Sequence, residues 1–291
     1  MKINFTKMEG CGNDYIYINC IDNAATNGRE IKSPESLAVF LSDRHFGVGG
    51  DGIVLILPSN VADARMRMFN LDGSEGKMCG NAIRCISKYL YDNGLVKKEK
   101  MAIETLSGIK KLDLFIEEGT VSRVKVNMGK AELRPEKIPV KLEGDSIISR
   151  EVSINGKEYA ITCLSMGNPH AVVFWDEKSN GVDLDSLQLT DIGPSFENNE
   201  IFPDRVNTEF VKVLGRNSLK VRVWERGSGE TLACGTGACA SAVAAVLNGY
   251  CDKNRDIKVE LLGGELTISY TDDTVYMTGP CKKVFDGRVE L

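Results

Sequence analysis

Met78-Cys79-Gly80-Asn81-Ala82-Ile83-Arg84-Cys85 decides how this chain is read, because Ala233-Cys234-Gly235-Thr236-Gly237-Ala238-Cys239 repeats its frame 155 positions later. Two further dipeptides recur at the same offset, Gly12-Asn13 as Gly167-Asn168 and Asn93-Gly94 as Asn248-Gly249. Matches at one offset, spread over more than 80 residues, mark two copies of one ancestral half. In each copy a glycine-rich loop, GSEGKMCG or GSGETLACG, runs into a helical pattern. After Cys79, the residues Ile83, Ile86 and Leu90 share one face, and Asn93-Gly94 supplies the stop. After Cys234 the run ACASAVAAVL is small or apolar all round, which predicts a helix enclosed by its own domain.

Working outward, each half reads as mixed α/β with strands dominant. Ile3–Met8, Tyr15–Asn19, Ile53–Leu57 and Arg65–Phe69 precede the first helix, and Met101–Thr105, Leu112–Ile116 and Val121–Met128 follow it. Ile257–Leu262, Leu266–Tyr270 and Val275–Thr278 follow the second. A further helix is expected from Ser33 as N-cap and Pro34 as first residue, with Leu37, Phe40 and Leu41 on its buried face. The β pattern breaks around Lys130–Val140, which places the first domain at 1–130 and the second at 131–278. A duplicated half often returns its last strand to the first domain, so residues from about 279 to 291 are assigned to domain one.

Composition narrows the function. The chain has 291 residues, with 36 Lys+Arg against 41 Asp+Glu, and a net charge of −5 argues against a nucleic-acid partner. No apolar run approaches the length needed to span a bilayer, so no membrane partner is expected. Lys7 and Glu9 interrupt the N-terminus where an export signal would be apolar. The expectation is a cytoplasmic protein whose nine cysteines are thiols. Only two histidines, His45 and His170, are present, and neither cysteine pair, 79/85 or 234/239, has zinc-site spacing, so no metal is expected. Gly47-Val48-Gly49-Gly50-Asp51-Gly52 satisfies a dinucleotide-binding pattern formally, but it precedes a strand instead of opening a helix and reads as a tight loop.

A cysteine at a helix N-terminus faces the positive end of the macrodipole and unpaired backbone N–H groups, which lower a thiol pKa and bind a carboxylate. One such cysteine suggests a nucleophile; two placed by duplication, Cys79 and Cys234, suggest an acid and a base facing each other across an interdomain cleft. Inverting a carbon stereocentre needs that arrangement and requires no cofactor. Cys20, Cys163, Cys251 and Cys281 read as small buried hydrophobes, and Cys85 and Cys239 as helix packing. His170 either tunes a nearby thiol or caps a turn, and His45 serves packing or a helix end.

The segments GCGNDYIYIN, FNLDGSEGKMCGNAIRC, SMGNPHAVVF, DRVNTEFV and WERGSGETLACGTGACA, in this order, closely resemble the diaminopimelate epimerases over essentially the whole chain. The resemblance implies a cofactor-independent enzyme interconverting LL- and meso-2,6-diaminopimelate, in lysine and peptidoglycan-precursor biosynthesis. It implies two similar domains, each a strand-rich roll around a central helix, and a homodimer. Cys79 and Cys234 fall on the family's catalytic cysteines. Asn13, Asn70, Asn168, Asn207, Glu225 and Arg226 fall on substrate-binding positions, as do Gly80-Asn81 and Gly235-Thr236, and His170 and Glu225 on thiol-tuning positions. Diaminopimelate carries two carboxylates and two ammoniums: the reacting carboxylate suits the N–H groups beyond each cysteine, and the distant one suits the planar fork of Arg226. Two departures stand out, Gly52 where many relatives have Gln and Ala82 where glycine is common. The alternatives are a proline racemase-like isomerase, a redox pair of thiols and a non-catalytic amino-acid-binding protein.

Overall fold

The computed structural model describes residues 2–21, 24–26, 28–272 and 274–291. The chain opens with β1 (Lys2–Gly10) and β2 (Asn13–Asn19), an antiparallel hairpin turned by Cys11 and Gly12, both at positive φ. After α1 (Pro34–Ser42) come β3 (Gly52–Leu57), parallel to β2, and β4 (Ala64–Asn70), antiparallel to β3. The short β5 (Glu75–Gly76) leads into α2 (Gly80–Asp92). Then β6 (Lys100–Thr105) runs parallel to β4, followed by the antiparallel pair β7 (Gly108–Glu117) and β8 (Thr120–Lys130).

The sheet is covered on both faces, which is why its strands are near-continuous apolar runs. In β2, Ile16 and Ile18 join Leu37, Ala38 and Leu41 of α1 in one cluster with Ile3, Ile53 and Phe69. Tyr17, one residue out of phase, turns to the other face, where its Oη lies 3.5 Å from the Ala82 carbonyl at the head of α2. Ser33 holds the N-cap position of α1 without a side-chain hydrogen bond, and Pro34 is its first residue. The expected buried face needs one correction: Phe40 is 45% exposed, and the stripe is carried by Leu37, Ala38 and Leu41. Arg84 of α2 is fully buried and donates to the carbonyls of Gly80 and Pro280, bracing the helix's first turn.

The second half contains β9 (Ile147–Ile154), β10 (Lys157–Ser165), β11 (Pro169–Phe174), α3 (Glu177–Asn180), α4 (Leu189–Glu197), β12 (Asn207–Gly215), β13 (Ser218–Glu225) and β14 (Gly229–Thr231). α5 (Gly235–Leu247), β15 (Asp256–Leu261), β16 (Gly264–Thr271) and β17 (Thr274–Pro280) complete it. The final strand, β18 (Lys282–Glu290), pairs antiparallel with β1 from Lys2↔Glu290 onward. Two compact units result, Met1–Asn127 with Thr278–Leu291, and Met128–Met277.

The duplication extends to the topology. Parallel pairs β11–β12 and β13–β15 repeat β2–β3 and β4–β6, and antiparallel β12–β13 repeats β3–β4. α2 and α5 have the same 13-residue length and start 155 residues apart. α5 packs against six strands of its unit, β10 to β13, β15 and β16. Its side chains are mostly alanine, so strands approach it on nearly every side, and Gly237 through Ala245 are buried without a break.

Candidate active site

In the first unit Cys79 is the N-cap of α2, with extended backbone angles, and its Sγ accepts the Ala82 N–H at 3.5 Å. The thiol donates to Asn13 Oδ1 at 3.4 Å, and Asn13 is delivered by the β1–β2 turn. The Asn13 amide in turn donates to Asp51 Oδ2 at 2.7 Å, and the same oxygen takes the Asp14 N–H. Arg44 donates to both Asp14 and Asp51, and Lys7 pairs with Asp14, so Asn13 leans on a small charged cluster. Burial raises the Asp51 carboxyl above its ordinary pKa, with Asp14 adding to the rise and the Asp14 N–H and Asn13 opposing it. Asn70, at the end of β4, donates to Ser74 Oγ and accepts from Tyr15 Oη at 3.5 Å.

In the second unit Cys234 is the N-cap of α5, only 6% exposed, and accepts the Gly237 N–H at 3.3 Å. The Thr236 hydroxyl lies 3.4 Å from its sulfur. Asn168 donates to that hydroxyl at 3.3 Å and presents Oδ1 to His170 Nε2 at 3.0 Å. His170 Nδ1 sits 2.7 Å from Glu209 Oε1, and both side chains are wholly buried. Glu225 accepts from the Thr231 hydroxyl at 2.5 Å. Asn207 spends its side chain on the backbone, donating to the Pro169 carbonyl and accepting the Arg226 N–H. Arg226 is partly buried and donates through Nη1 to the Asp204 carbonyl.

The helix N-terminus does not win at Cys234. Burial pushes this thiol well above its ordinary value, the Glu225 and Glu209 charges push it further, and the Thr236 hydroxyl and Gly237 N–H oppose them without prevailing. The expectation that the helix end lowers the thiol pKa is therefore overturned there: desolvation next to two carboxylates outweighs a partial charge. Glu225 is itself raised by burial and, after it, by the Glu209 charge.

Two glycine positions bear on the sequence departures. A Cβ at residue 52 would lie 2.0 Å from the Phe69 carbonyl oxygen, so a glutamine there does not fit unless the head of β3 shifts. A Cβ at Gly237 would lie 2.6 Å from Glu209 Oε1. At Ala82, the equivalent residue in the first unit, the position corresponding to Glu209 is Val54, an aliphatic residue on β3.

The structure also shows residues that sequence reasoning missed. Glu209 is one. Glu197 is another: 6% exposed, it accepts from Trp224 Nε1, the Gly227 N–H and Arg205 Nη1, and so ties down the turn that carries Glu225 and Arg226. His45 is exposed in the turn after α1, which excludes a packing role. Cys20, Cys85, Cys163, Cys239, Cys251 and Cys281 are buried, as is Cys11, and no disulfide joins any of the nine. Gly47–Gly50 form a loop ahead of β3. Among the described residues no group of three or more His, Cys, Asp or Glu side chains is placed to hold a metal ion, and no helix is long and apolar enough to cross a membrane.

Solved structures place this architecture. A probable proline racemase from Agrobacterium radiobacter superposes with a TM-score of 0.75 at 15% identity, covering 99% of this chain and 93% of that one. A hydroxyproline epimerase from Agrobacterium vitis superposes at 0.67 with 13% identity, covering 100% and 93%. The fold is the two-domain racemase and epimerase fold. Sequence resolves the matter further: the diaminopimelate epimerase family profile matches residues 5–134 and 162–284. The chain is 51% identical to the diaminopimelate epimerase of Acetivibrio thermocellus over 99% of both proteins, and 50% identical to that of Methanococcus maripaludis over 99% of this chain and 100% of the relative. The chain belongs to the diaminopimelate epimerase family.

Proposed function

We propose that this isomerase interconverts LL- and meso-2,6-diaminopimelate by a two-base mechanism in which Cys79 and Cys234 act on opposite faces of one α-carbon. The observation that carries the reading is the matched pair of cysteine N-caps, each with a backbone N–H of the helix's first turn at its sulfur. One thiolate removes the α-proton, and the electron pair left on carbon spreads into the adjoining carboxylate. The N–H groups of Gly80-Asn81 and Gly235-Thr236, in the first turns of α2 and α5, suit the carboxylate on which that charge gathers. The other thiol then returns a proton from the opposite side, inverting the centre. Each turnover exchanges which cysteine holds the proton, and the scheme calls for no cofactor or metal.

Asn13, Asn70, Asn168, Asn207, Glu225 and Arg226 are assigned to the substrate, with Arg226 offering its remaining N–H groups to the distant carboxylate. The Arg226 N–H bond to Asn207 and the Glu197 anchor of the neighbouring turn support that placement. His170 and Glu225 tune the thiols. The two epimerase domains are assigned to the two compact units. The reading carries action in the cytoplasm, where lysine and peptidoglycan precursors are made, and a homodimer. Val284 and Phe285, exposed on β18, support the dimer, and light scattering with Phe285→Glu tests it.

The decisive experiment supplies LL-diaminopimelate to reduced enzyme in D2O without pyridoxal phosphate. The expected result is α-deuterium incorporation together with the meso isomer. Absence of both, with the thiols verified as reduced, overturns the assignment.

A further inference from the structure

Glu209 lies on β12, where period-two alternation would leave an acidic side chain to solvent in a sheet with one open face. Here it is wholly buried. Its Oε1 meets His170 Nδ1 at 2.7 Å, and its Oε2 has no hydrogen-bond partner. A buried carboxylate with an unmatched oxygen is costly, and the fold does not require this one. The equivalent positions of the first unit, 155 residues earlier, hold Val54 and Tyr15 on the same pair of parallel strands. The sheet forms there without any such pair, so the cost in the second unit is not the cost of building the sheet.

A continuous chain of contacts leads from Glu209 to the thiol. His170 Nε2 meets Asn168 Oδ1 at 3.0 Å, the Asn168 amide donates to Thr236 Oγ1 at 3.3 Å, and that hydroxyl lies 3.4 Å from Cys234 Sγ. Gly237, without a side chain, leaves the room in the first turn of α5 that the carboxylate occupies. We propose that Glu209 is a positioning residue: it fixes the proton on Nδ1 of His170 and thereby orders the chain that ends on Cys234. A ring nitrogen facing a carboxylate oxygen keeps its proton there, and the other nitrogen, which faces the acceptor oxygen of Asn168, donates in turn, so both contacts are made by N–H groups. Without Glu209 the Nδ1 proton has no acceptor, and the ring keeps only the N–H that faces Asn168 Oδ1. The inference rests on the epimerase reading for its catalytic consequence, while its structural core is measured independently of turnover.

The chain has only two histidines, so long-range proton–nitrogen spectra of uniformly 15N-labelled enzyme resolve the imidazole of His170, with His45→Gln assigning the exposed one. In the wild type the His170 pattern is that of a ring protonated at Nδ1. Glu209→Ala loses that signature, and kcat falls ~100-fold with KM within about twofold, the pattern of a misoriented acid–base neighbour. Glu209→Gln keeps an acceptor oxygen for Nδ1, retains the signature and loses kcat about 10-fold. An unchanged His170 spectrum in Glu209→Ala overturns the proposal, whether activity survives or not, because loss of activity alone would then reflect a merely structural role. A changed spectrum with unchanged kcat overturns it as well. Should the wild type fail to epimerise diaminopimelate, the functional reading falls, and the spectra of wild type and Glu209→Ala still decide whether Glu209 sets the ring.

Discussion

Cys79 and Cys234 cap helices of identical length at the same point of a repeated topology, yet the side chains around the two sulfurs differ. Behind Cys79 stands Asn13, held by Asp51 in a cluster with Asp14, Arg44 and Lys7. Behind Cys234 stands Asn168, held by His170 and through it by Glu209. The residue equivalent to Asp51 is Val206, and those equivalent to His170 and Glu209 are Tyr15 and Val54. The duplication therefore preserved the hairpin turn, the glycine-rich loop and the helix cap, while each copy acquired its own means of bracing an asparagine. Backbone frame and thiol position belong to folding; the charge around each thiol was free to diverge because no strand depends on it.

The bluntest way to break the comparison is to remove either sulfur. Cys79→Ala and Cys234→Ala are each expected to lose turnover by about 10³-fold or more while still binding diaminopimelate, as measured by calorimetry and product chromatography. Retained turnover in either single variant would show that the halves are not partners. Next is the contrast between the equivalent first-turn residues. Gly237→Ala drives a Cβ against Glu209 and is expected to reduce kcat more than 10-fold and cost about 1–3 kcal/mol. Ala82→Gly, in the half where Val54 stands at the position of Glu209, is expected to cost only about 0.5–1 kcal/mol and leave kcat within twofold. Equal effects would dissolve the asymmetry.

A titration sharpens the difference further. Because the Cys234 thiol is raised above its ordinary value of 9.0, its neutral form is the one the fold prefers. Stability from that preference is complete below pH 9 and declines as pH rises through the folded-state value, so the denaturation midpoint should fall in alkali less steeply in Cys234→Ser. Glu225→Gln removes the leading charge acting on this thiol and is expected to speed its alkylation by iodoacetamide severalfold at pH 9, read by peptide mass spectrometry. No acceleration would mean that burial and Glu209, not Glu225, set Cys234. The smallest effect concerns Glu197. Glu197→Gln loses one of three accepted hydrogen bonds and should lower stability by about 1–3 kcal/mol. A rise in KM of about threefold with kcat nearly constant would follow if the Arg226 turn serves binding alone.

The dipeptides at one offset were sufficient to foretell the repeated helices and their caps, because N-cap chemistry and stop signals are local. The strands around α2 were legible for the same reason: β-rich runs such as Ile53–Leu57 carry their own signature. Legibility ended where long-range packing decides. Phe40 has helical spacing from Leu37 but lies beside the buried stripe. α4 forms although it contains Gly193 and Pro194, because its Leu189 and Phe196 lie in the second unit's core, and Gly193 is required because any Cβ there would strike the Trp224 ring. Nothing in their local segments distinguishes Glu209 and Glu197 from surface acids. Only a sheet covered on both faces, or a helix end turned inward, makes such residues buried supports, and neither condition is written in nearest-neighbour sequence. The thiol pKa failed for the same reason: proximity to a helix terminus can be read from sequence, but desolvation cannot.

β18 closes the first unit against β1, and the Thr6 hydroxyl meets Asp286, 280 positions further along the chain, at 2.7 Å. Gly287 admits the Phe5 ring, which any side chain there would strike. During synthesis from N- to C-terminus, then, β1 is made well before β18, and residues 128–277 can complete their own unit before that partner strand is made. Contacts of such separation carry a loop-closure cost that grows only slowly with length but delays their formation. The unit that supplies the earlier strand is completed only by the later one, and until β18 arrives the edge of β1 is open to pairing with another chain.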